Sequence, residues 1–414
     1  MIFTFTKNTL MLQLDSIGTL ALALCTLLCG YSLRQKIYLL QKFCLPDVVT
    51  GGIIFMVIRM ILHISGIVEF EIDTTFQTPA MIAFFTCIGL LTDLHRNNAM
   101  SKLLFKYWGI CALLTIIQNV IGLSLAIVLQ IPPVYGVLAG ATTMMGGHGN
   151  GSAFGLTASN LGFSNGLETG IACATFGMLC GALIGAPFAQ FLIDKYQLTS
   201  LKRKVKPTSS TRGIVYDNMD NHNNAIHLLK NVFVIASIMV IGSCFASFIS
   251  GFFNDIVLPE YIGGMFLGLI VRNTVCAKYH QMIDYHIISK ASNIFLNVFL
   301  SISMVSVELW QLKDIATALL TILAVQLLFI LFYTRFFVFR LLGRDYDSAV
   351  MCAGLLGHGL GVTPNAIANI DAICEKNGDS EVAMFIVPAV ASSLIDLVMI
   401  PTIILFFNLA VAIS

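Results

Sequence analysis

Charged side chains are scarce in this chain, since only 11% of its 414 residues are Asp, Glu, Lys or Arg. A soluble domain carries about 25%, so a chain that is water-exposed throughout is excluded. The formal net charge of +1 provides no basic face for nucleic acid. Hydrophobic residues make up 57% of the chain and the mean hydropathy is +0.86. Together these values indicate an all-α polytopic membrane protein.

Sequence patterns typical of catalytic and metal sites are also missing. The chain has no HExxH motif, no nucleophile arrangement of Ser and His, and no CxxC pair among its eleven cysteines. Cys25, Cys173 and Cys244 lie inside apolar runs, where cysteine behaves as a small buried hydrophobe. No stretch suits a soluble head domain. We therefore expect neither an enzyme nor a bound cofactor.

Apolar stretches long enough to cross a membrane dominate the chain. A spanning helix needs about 20 apolar residues. The sequence predicts ten spans: 15–33, 46–64, 79–94, 105–129, 168–193, 229–253, 260–274, 292–310, 315–339 and 383–409. Two further segments, 134–160 and 347–372, each hold about 10–14 apolar residues around a Gly cluster, which suits a re-entrant loop better than a crossing.

Basic residues are distributed unevenly over the connections between the predicted spans. With the N-terminus outside, 20 of the 23 Lys and Arg residues lie on the cytoplasmic side, and only Lys7, Arg59 and Lys313 lie outside. Because short cytoplasmic loops carry an excess of Lys and Arg, we expect both termini to face outward. The basic segment 195–228, rich in Ser, Thr and Asn, is predicted to be a cytoplasmic linker.

The two halves of the chain repeat one pattern. The stretch LPDVVTGG at 45–52 recurs as LPEYIGG at 258–264, with the Leu-Pro pairs 213 residues apart, and Glu168 recurs as Glu381 at the same offset. Each half has five predicted crossings, an odd number, so the second half enters the membrane from the opposite face. We therefore expect two inverted five-helix repeats, 1–194 and 229–414, each with a re-entrant Gly-rich loop between its fourth and fifth spans.

Two Gly clusters, GHGNG at 147–151 and GHGLG at 357–361, stand at matching positions of the halves. Glycines at alternate positions make a poor helix. The outer glycines of each cluster are also four residues apart, the spacing of a close helix contact, which is the alternative interpretation. Broken segments that enter from opposite faces can meet near the midplane. Helix N-termini there attract anionic groups, and free carbonyls suit a small cation such as sodium. The pattern predicts the binding site of a secondary transporter.

The candidate ligands are these glycines and the polar residues near them. Asn150, Ser152, Thr363 and Asn365 can bind a cation or substrate, or they can simply satisfy the loop backbone. Asp396 is costly inside an apolar span, and it is predicted to bind sodium with Asn150 and Thr363, unless it makes a structural hydrogen bond. The full set is Gly147, His148, Gly149, Asn150, Gly151, Ser152, Gly359, Gly361, Thr363, Pro364, Asn365, Asp396, Gln118, Asn119 and Gln326.

For several polar residues near the clusters, the sequence indicates a structural role rather than direct binding of substrate or ion. No carboxylate lies beside His148 or His358 in the sequence, so both are predicted to be hydrogen-bonded loop residues rather than metal ligands. Glu168 and Glu381 stand at the starts of spans, where a carboxylate stabilises a helix N-terminus. The amides of Gln118, Asn119 and Gln326 lie inside spans four and nine, where they can line the cavity or bridge helices.

Long stretches of the chain resemble the bacterial sodium/glutamate symporter family. They include GGHGNGSAFG from 146, ETGIACATFGMLCGALIGAP from 168 and MFIVPAVASSLIDLV from 384. The resemblance implies an inner-membrane carrier that imports L-glutamate with sodium as the coupling ion, and a homodimer in which one domain of each protomer moves against a scaffold. Asn150 stands where the family usually has Thr, His358 where an aromatic is common, and Asp371 where Gln is frequent. These departures leave the exact substrate open.

Other functions compete with this expectation. The nearest are a carrier for dicarboxylates or 2-hydroxy acids and a sodium/proton exchanger. A membrane enzyme would use His148, His358, Asp396 and Glu168 as a metal or acid–base site, and a channel could also contain inverted broken segments. Saturable transport with counterflow would separate a carrier from a channel, and the metal content of the purified protein would test the enzyme.

Overall fold

The computed structural model describes residues 2–6, 9–37, 40, 46–92, 102–199, 224–252, 259–278 and 283–414, most of them helical. In chain order the helices are α1 (Ser16–Lys36), α2 (Asp47–Ile64), α3 (Gln77–Leu91), α4 (Lys102–Val128), α5 (Pro133–Val137), α6 (Gly147–Asn160), α7 (Gly166–Tyr196), α8 (Asn224–Phe252), α9 (Glu260–Asn273), α10 (Val275–Lys278), α11 (Tyr285–Ser306), α12 (Ala316–Tyr333), α13 (Phe339–Leu342), α14 (Tyr346–Gly359), α15 (Thr363–Asn377), α16 (Glu381–Ala389) and α17 (Asp396–Ile413).

Eight helices in the described part of the chain are long and apolar enough to cross a membrane, which confirms a helical multi-pass membrane protein. Two of the ten predicted spans, 79–94 and 260–274, correspond to the shorter helices α3 and α9, of 15 and 14 residues. At 1.5 Å per residue each is about 22 Å long, less than the roughly 30 Å hydrocarbon core. The predicted span 383–409 is interrupted by a π-helical segment, Val390–Leu394.

The structure also contains a small three-stranded sheet, which the prediction of an all-α protein did not include. Its strands are β1 (Ile2–Thr6), β2 (Thr9–Leu14) and β3 (Val68–Ile72). β2 pairs antiparallel with β1 and parallel with β3. Exposure alternates along β3, the two-residue period of a strand, but five residues are too few to stand out in an apolar sequence.

The predicted linker 195–228 is shorter than expected where the structure describes it. α7 continues to Tyr196 and α8 begins at Asn224, so residues at both ends of the predicted linker are helical. Residues 200–223, the rest of that prediction, lie outside the described residues.

The helices pack into two groups, and each group draws on both halves of the sequence. The scaffold group contains α1, α2, α3, α8, α9 and α11. Within it, Gln77 of α3 donates to Ser303 of α11 at 2.9 Å, and the rings of Phe85 and Tyr261 lie 4.6 Å apart. The core group contains α4 to α7 and α12 to α17. Within it, the hydroxyl of Tyr333 donates to the carbonyl of Ile110 at 2.9 Å.

Candidate functional site

The first Gly cluster lies at the turn of a helical hairpin. The first arm runs from Pro133 through the π-helical segment Leu138–Thr142, which contains Gly140 in a non-helical conformation, and α6 forms the second arm. The arms are antiparallel, because the ring of Tyr135 at the start of the first arm packs on Phe163, just beyond the end of the second. Gly147 begins α6 with a φ of +61°, a left-handed conformation that favours glycine.

The second Gly cluster lies at the turn of another hairpin. α14 ends at Gly359, Val362 is extended with φ −139° and ψ 158°, and α15 begins at Thr363 with Pro364 in its first turn. Backbone N–H groups in the first helical turn have no intrahelical acceptor. Pro364, which lacks an N–H, therefore fits this position. The arms are antiparallel, since the hydroxyl of Tyr346 at the start of α14 donates to the carbonyl of Gly378 just after α15.

The turns of the two hairpins meet at the middle of α7. A Cβ on Gly147 would lie 2.7 Å from Cγ1 of Val362 and 3.3 Å from the carbonyl oxygen of Gly361. His148 contacts Thr175 of α7 at 3.0 Å through Nε2, and Asn365 donates to the carbonyl of Met178 at 2.8 Å. Two segments that are 210 residues apart in sequence therefore contact each other and the same turn of one helix.

The hairpins approach this turn from opposite ends of α7. The first hairpin packs on the N-terminal half, where the backbones of Gly151 and Gly170 come so close that neither position has room for a side chain. The second hairpin packs on the C-terminal half, where Asn369 donates to Gly181 at 3.0 Å and Asn377 to Gln190 at 2.9 Å. α7 is therefore the shared support of both breaks.

Buried polar atoms without hydrogen-bond partners cluster in the candidate set. Asn150 and Asn365 are 7% and 0% exposed, Ser152 is 0% exposed, and the side-chain oxygen of each has no partner within the part of the chain that the structure describes. An unpaired buried oxygen costs free energy, about 1–3 kcal/mol. These oxygens could therefore accept from a substrate ammonium group or coordinate a cation at little additional desolvation cost.

The amides of Gln118, Asn119 and Gln326 each bridge elements through one polar atom, while the other polar atom of each has no partner among the described residues. Gln118 donates to the carbonyl of Gly359 at 3.0 Å, and Gln326 donates to the carbonyl of Gln118 at 2.7 Å. The oxygen of Asn119 accepts from the N–H of Ala141 at 3.1 Å, next to the distorted Gly140. These three residues tie α4 and α12 to both hairpins. Of the two roles considered from the sequence, these hydrogen bonds correspond to bridging between helices.

The two histidines make different contacts and do not form a joint site. Nε2 of His358 lies 3.0 Å from the hydroxyl of Tyr107, whereas His148 contacts Thr175. Both are buried, and no group of three His, Cys, Asp or Glu residues able to hold a metal was found in the described ranges. Nδ1 of each has no partner among the described residues, and the structural role of both histidines stays a prediction.

Comparison with known proteins identifies the family of this chain. The model of the sodium/glutamate symporter family matches residues 12–379. The chain belongs to this family. It is 33% identical to the sodium/glutamate symporter of Escherichia coli (strain K12) over 94% of this chain and 96% of the relative. It is 35% identical to the symporter of Haemophilus influenzae over 92% and 94%, respectively. The predicted resemblance is therefore confirmed.

Within this family member, Thr363 and Asp396 both lie next to the π-helical segment Val390–Leu394. Thr363 donates to the carbonyl of Ala391 at 2.9 Å, and Trp108 donates to that of Leu394 at 2.8 Å. Asp396 begins α17 and is partly exposed. No hydrogen bond in the described structure joins Asp396 to Thr363 or Asn150, so the proposed sodium ligands are not connected directly.

Sequence reasoning missed several residues that position this site. Thr175 was an isolated polar residue in an apolar run, and Tyr107 and Trp108 were aromatic residues near the start of a span. Their partners, His148, His358 and the carbonyl of Leu394, lie 27 to 286 residues away. Local patterns give no signal for such contacts, although an isolated hydroxyl within a span is a weak indication.

Proposed function

We propose that this chain is a sodium-coupled secondary transporter that imports L-glutamate by alternating access. The observation that carries the proposal is the meeting of the two hairpin turns at Thr175–Met178 in the middle of α7. Secondary transporters bind substrate and ion where such broken helices meet. The names of the bacterial relatives, sodium/glutamate symporter, supply the substrate and the ion.

The start of the second long helix in each half supports the repeat. Pro46 precedes α2 with φ −58° and ψ 146°, and Pro259 precedes α9 with φ −58° and ψ 142°. These two prolines, which are 213 residues apart in the sequence, therefore have equivalent backbone conformations. In this proposal both hairpins are re-entrant, the first from outside and the second from the cytoplasm. Both termini face outward and residues 195–228 face the cytoplasm of a bacterial inner membrane.

The chemistry of the hairpin turns suits a zwitterionic dicarboxylate. α6 and α15 both begin at the breaks, and a helix N-terminus offers unpaired N–H groups and about half a positive charge to a carboxylate. The unpaired oxygens of Asn150, Ser152 and Asn365 suit the ammonium group of glutamate or a sodium ion. We assign sodium to Asn150, Thr363 and Asp396, and we expect glutamate to contact the turns at Gly147–Ser152 and Gly359–Asn365.

Uptake by purified protein in liposomes tests the proposal. We expect accumulation of labelled L-glutamate only with an inward sodium gradient, and none with potassium on both sides. Counterflow by unlabelled glutamate identifies a carrier rather than a channel. Competition by dicarboxylates without competition by glutamate would assign another anion substrate, and equal uptake without sodium would reject the coupling.

The homodimer implied by the family resemblance is also part of the proposal. Light scattering of the detergent-solubilised protein, with detergent mass subtracted, should give twice the 45.1 kDa chain mass. A protein that is monomeric in detergent and after cross-linking in membranes would contradict the dimer while leaving the transport proposal intact.

A further inference from the structure

Arg59 of α2 is buried against the end of α11. Its side chain is 5% exposed, and its guanidinium donates to the carbonyls of Val305, Ser306 and Val307 at 3.3, 2.7 and 3.1 Å. The same group donates to the carbonyl of Phe70 at 3.1 Å. The last carbonyls of a helix have no intrahelical partner, and a cation there is favourable. These bonds hold Arg59 within the scaffold group and away from the hairpin turns.

Glu308 connects Arg59 to the core group. It lies in the connection 307–315 from scaffold helix α11 to core helix α12, and its carboxylate pairs with Arg59 at 2.7 Å. Its backbone N–H donates to Oε1 of Glu168, at the start of core helix α7, at 3.4 Å. Glu168 is 6% exposed, and its other oxygen has no partner among the described residues. Glu308 is thus bonded to the scaffold by its side chain and to the core by its backbone.

The repeat-related carboxylate is in a different environment. Glu381 stands 213 residues after Glu168 and likewise begins a core helix, α16, but it is exposed, whereas Glu168 is buried. Two carboxylates at equivalent positions of the repeat therefore differ in burial within one conformation.

We propose that Arg59, Glu308 and Glu168 form a clamp between scaffold and core that opens and closes during the transport cycle. The inference rests on the proposed alternating-access function. Because Arg59 fixes Glu308 to the scaffold, sliding of α7 relative to α2 must break the bond between Glu308 and Glu168. The three residues are positioning residues, since none contacts the hairpin turns, and they set the rate of conformational exchange rather than hold substrate.

Cross-linking of a Glu168→Cys/Glu308→Cys double variant tests the clamp. A polar cavity of about 180 Å³ lies beside Arg59 and Glu308 and gives a small reagent access to this region. We expect copper phenanthroline, with oxygen as the oxidant, to form the disulfide and abolish sodium-driven uptake, and a reductant to restore it. Sodium-dependent binding of labelled glutamate should persist in the cross-linked protein. The two single variants, treated identically, control for the native cysteines.

Each outcome bears on the clamp separately from the transport function. Full uptake after complete cross-linking, or no cross-link in the membrane, would overturn the clamp, and absence of glutamate uptake by the unmodified chain would overturn the proposed function instead. Glu168→Gln keeps an acceptor for the Glu308 N–H and should transport at the unmodified rate, whereas Glu168→Ala should change the maximal rate about threefold or more. Glu71→Gln, at an exposed carboxylate on β3, is the matched control and should have no effect.

Discussion

The Nδ2 group of Asn365 donates to the carbonyl oxygen of Met178 at 2.8 Å and thereby ties the second hairpin to α7. Met178 lies three residues from Thr175, which contacts His148 of the first hairpin. A single turn of α7 therefore fixes the relative position of both breaks. Any movement of α7 must carry the candidate binding site with it, as a moving transport domain requires.

Replacement of Asn365 by alanine should loosen the second hairpin. The variant removes a fully buried amide and leaves the carbonyl of Met178 without this donor, a loss of about 1–3 kcal/mol. We expect a lower thermal unfolding midpoint in detergent together with much reduced sodium-driven uptake. Asn377→Ala is the matched control, because Asn377 bonds to Gln190 at the far end of the same interface. Equal effects of both variants would show that Asn365 has no special role at the turn.

Addition of a methyl group at Gly170 should separate α6 from α7. Its Cβ would collide with the backbone carbonyl of Gly151, which cannot move as a flexible side chain could. We expect Gly170→Ala to lower the unfolding midpoint and the amount of folded protein, because overpacking costs about 1–3 kcal/mol. Gly109→Ala on α4 is the control, since its Cβ would meet no described atom within 4 Å. A folded, active Gly170→Ala protein would contradict the close packing described here.

Replacement of Asn150 by alanine should weaken ion or substrate binding rather than folding. The buried side-chain oxygen of Asn150 has no hydrogen-bond partner in the described part of the protein. The substitution therefore breaks no internal hydrogen bond of this oxygen. We expect the sodium concentration for half-maximal uptake to rise about tenfold, equivalent to about 1.4 kcal/mol, at an unchanged unfolding midpoint. Asn160→Ala, at the exposed end of α6, serves for comparison. Normal sodium dependence of the Asn150 variant would make it a loop residue only.

Replacement of Asp396 by asparagine should reduce sodium activation if this carboxylate binds the ion. The change keeps the shape of the side chain at the start of α17 and removes the negative charge, which attracts a hard cation more strongly than a neutral oxygen does. Uptake should be measured as a function of sodium concentration, with Glu375→Gln, at an exposed position on α15, as the control. Unchanged sodium activation would assign Asp396 a structural role beside the π-helical segment.

Much of the fold could be predicted because membrane insertion leaves a strong local signal. Long apolar runs such as Lys102–Val128 must form helices, since lipid offers no partner for the backbone. The Gly clusters marked both helix breaks, because glycine is unfavourable inside a helix. Predicted edges were less accurate: α11 begins at Tyr285 rather than at residue 292, and α3 and α9 are shorter than full spans. The packing of α3 against α9 supports these short helices, and it involves residues far apart in sequence.

The sequence by itself determined the membrane class, the family and the location of the two breaks, and it predicted a twofold repeat, because each follows from local composition or from spacing along the chain. Only the tertiary structure decided which residues meet. It brought Gly147 to Val362, His148 to Thr175 and Glu308 to Glu168. It also regrouped the helices of both halves into a scaffold and a core. Such contacts depend on how helices pack in three dimensions, and packing between distant segments has no periodicity that one sequence can reveal.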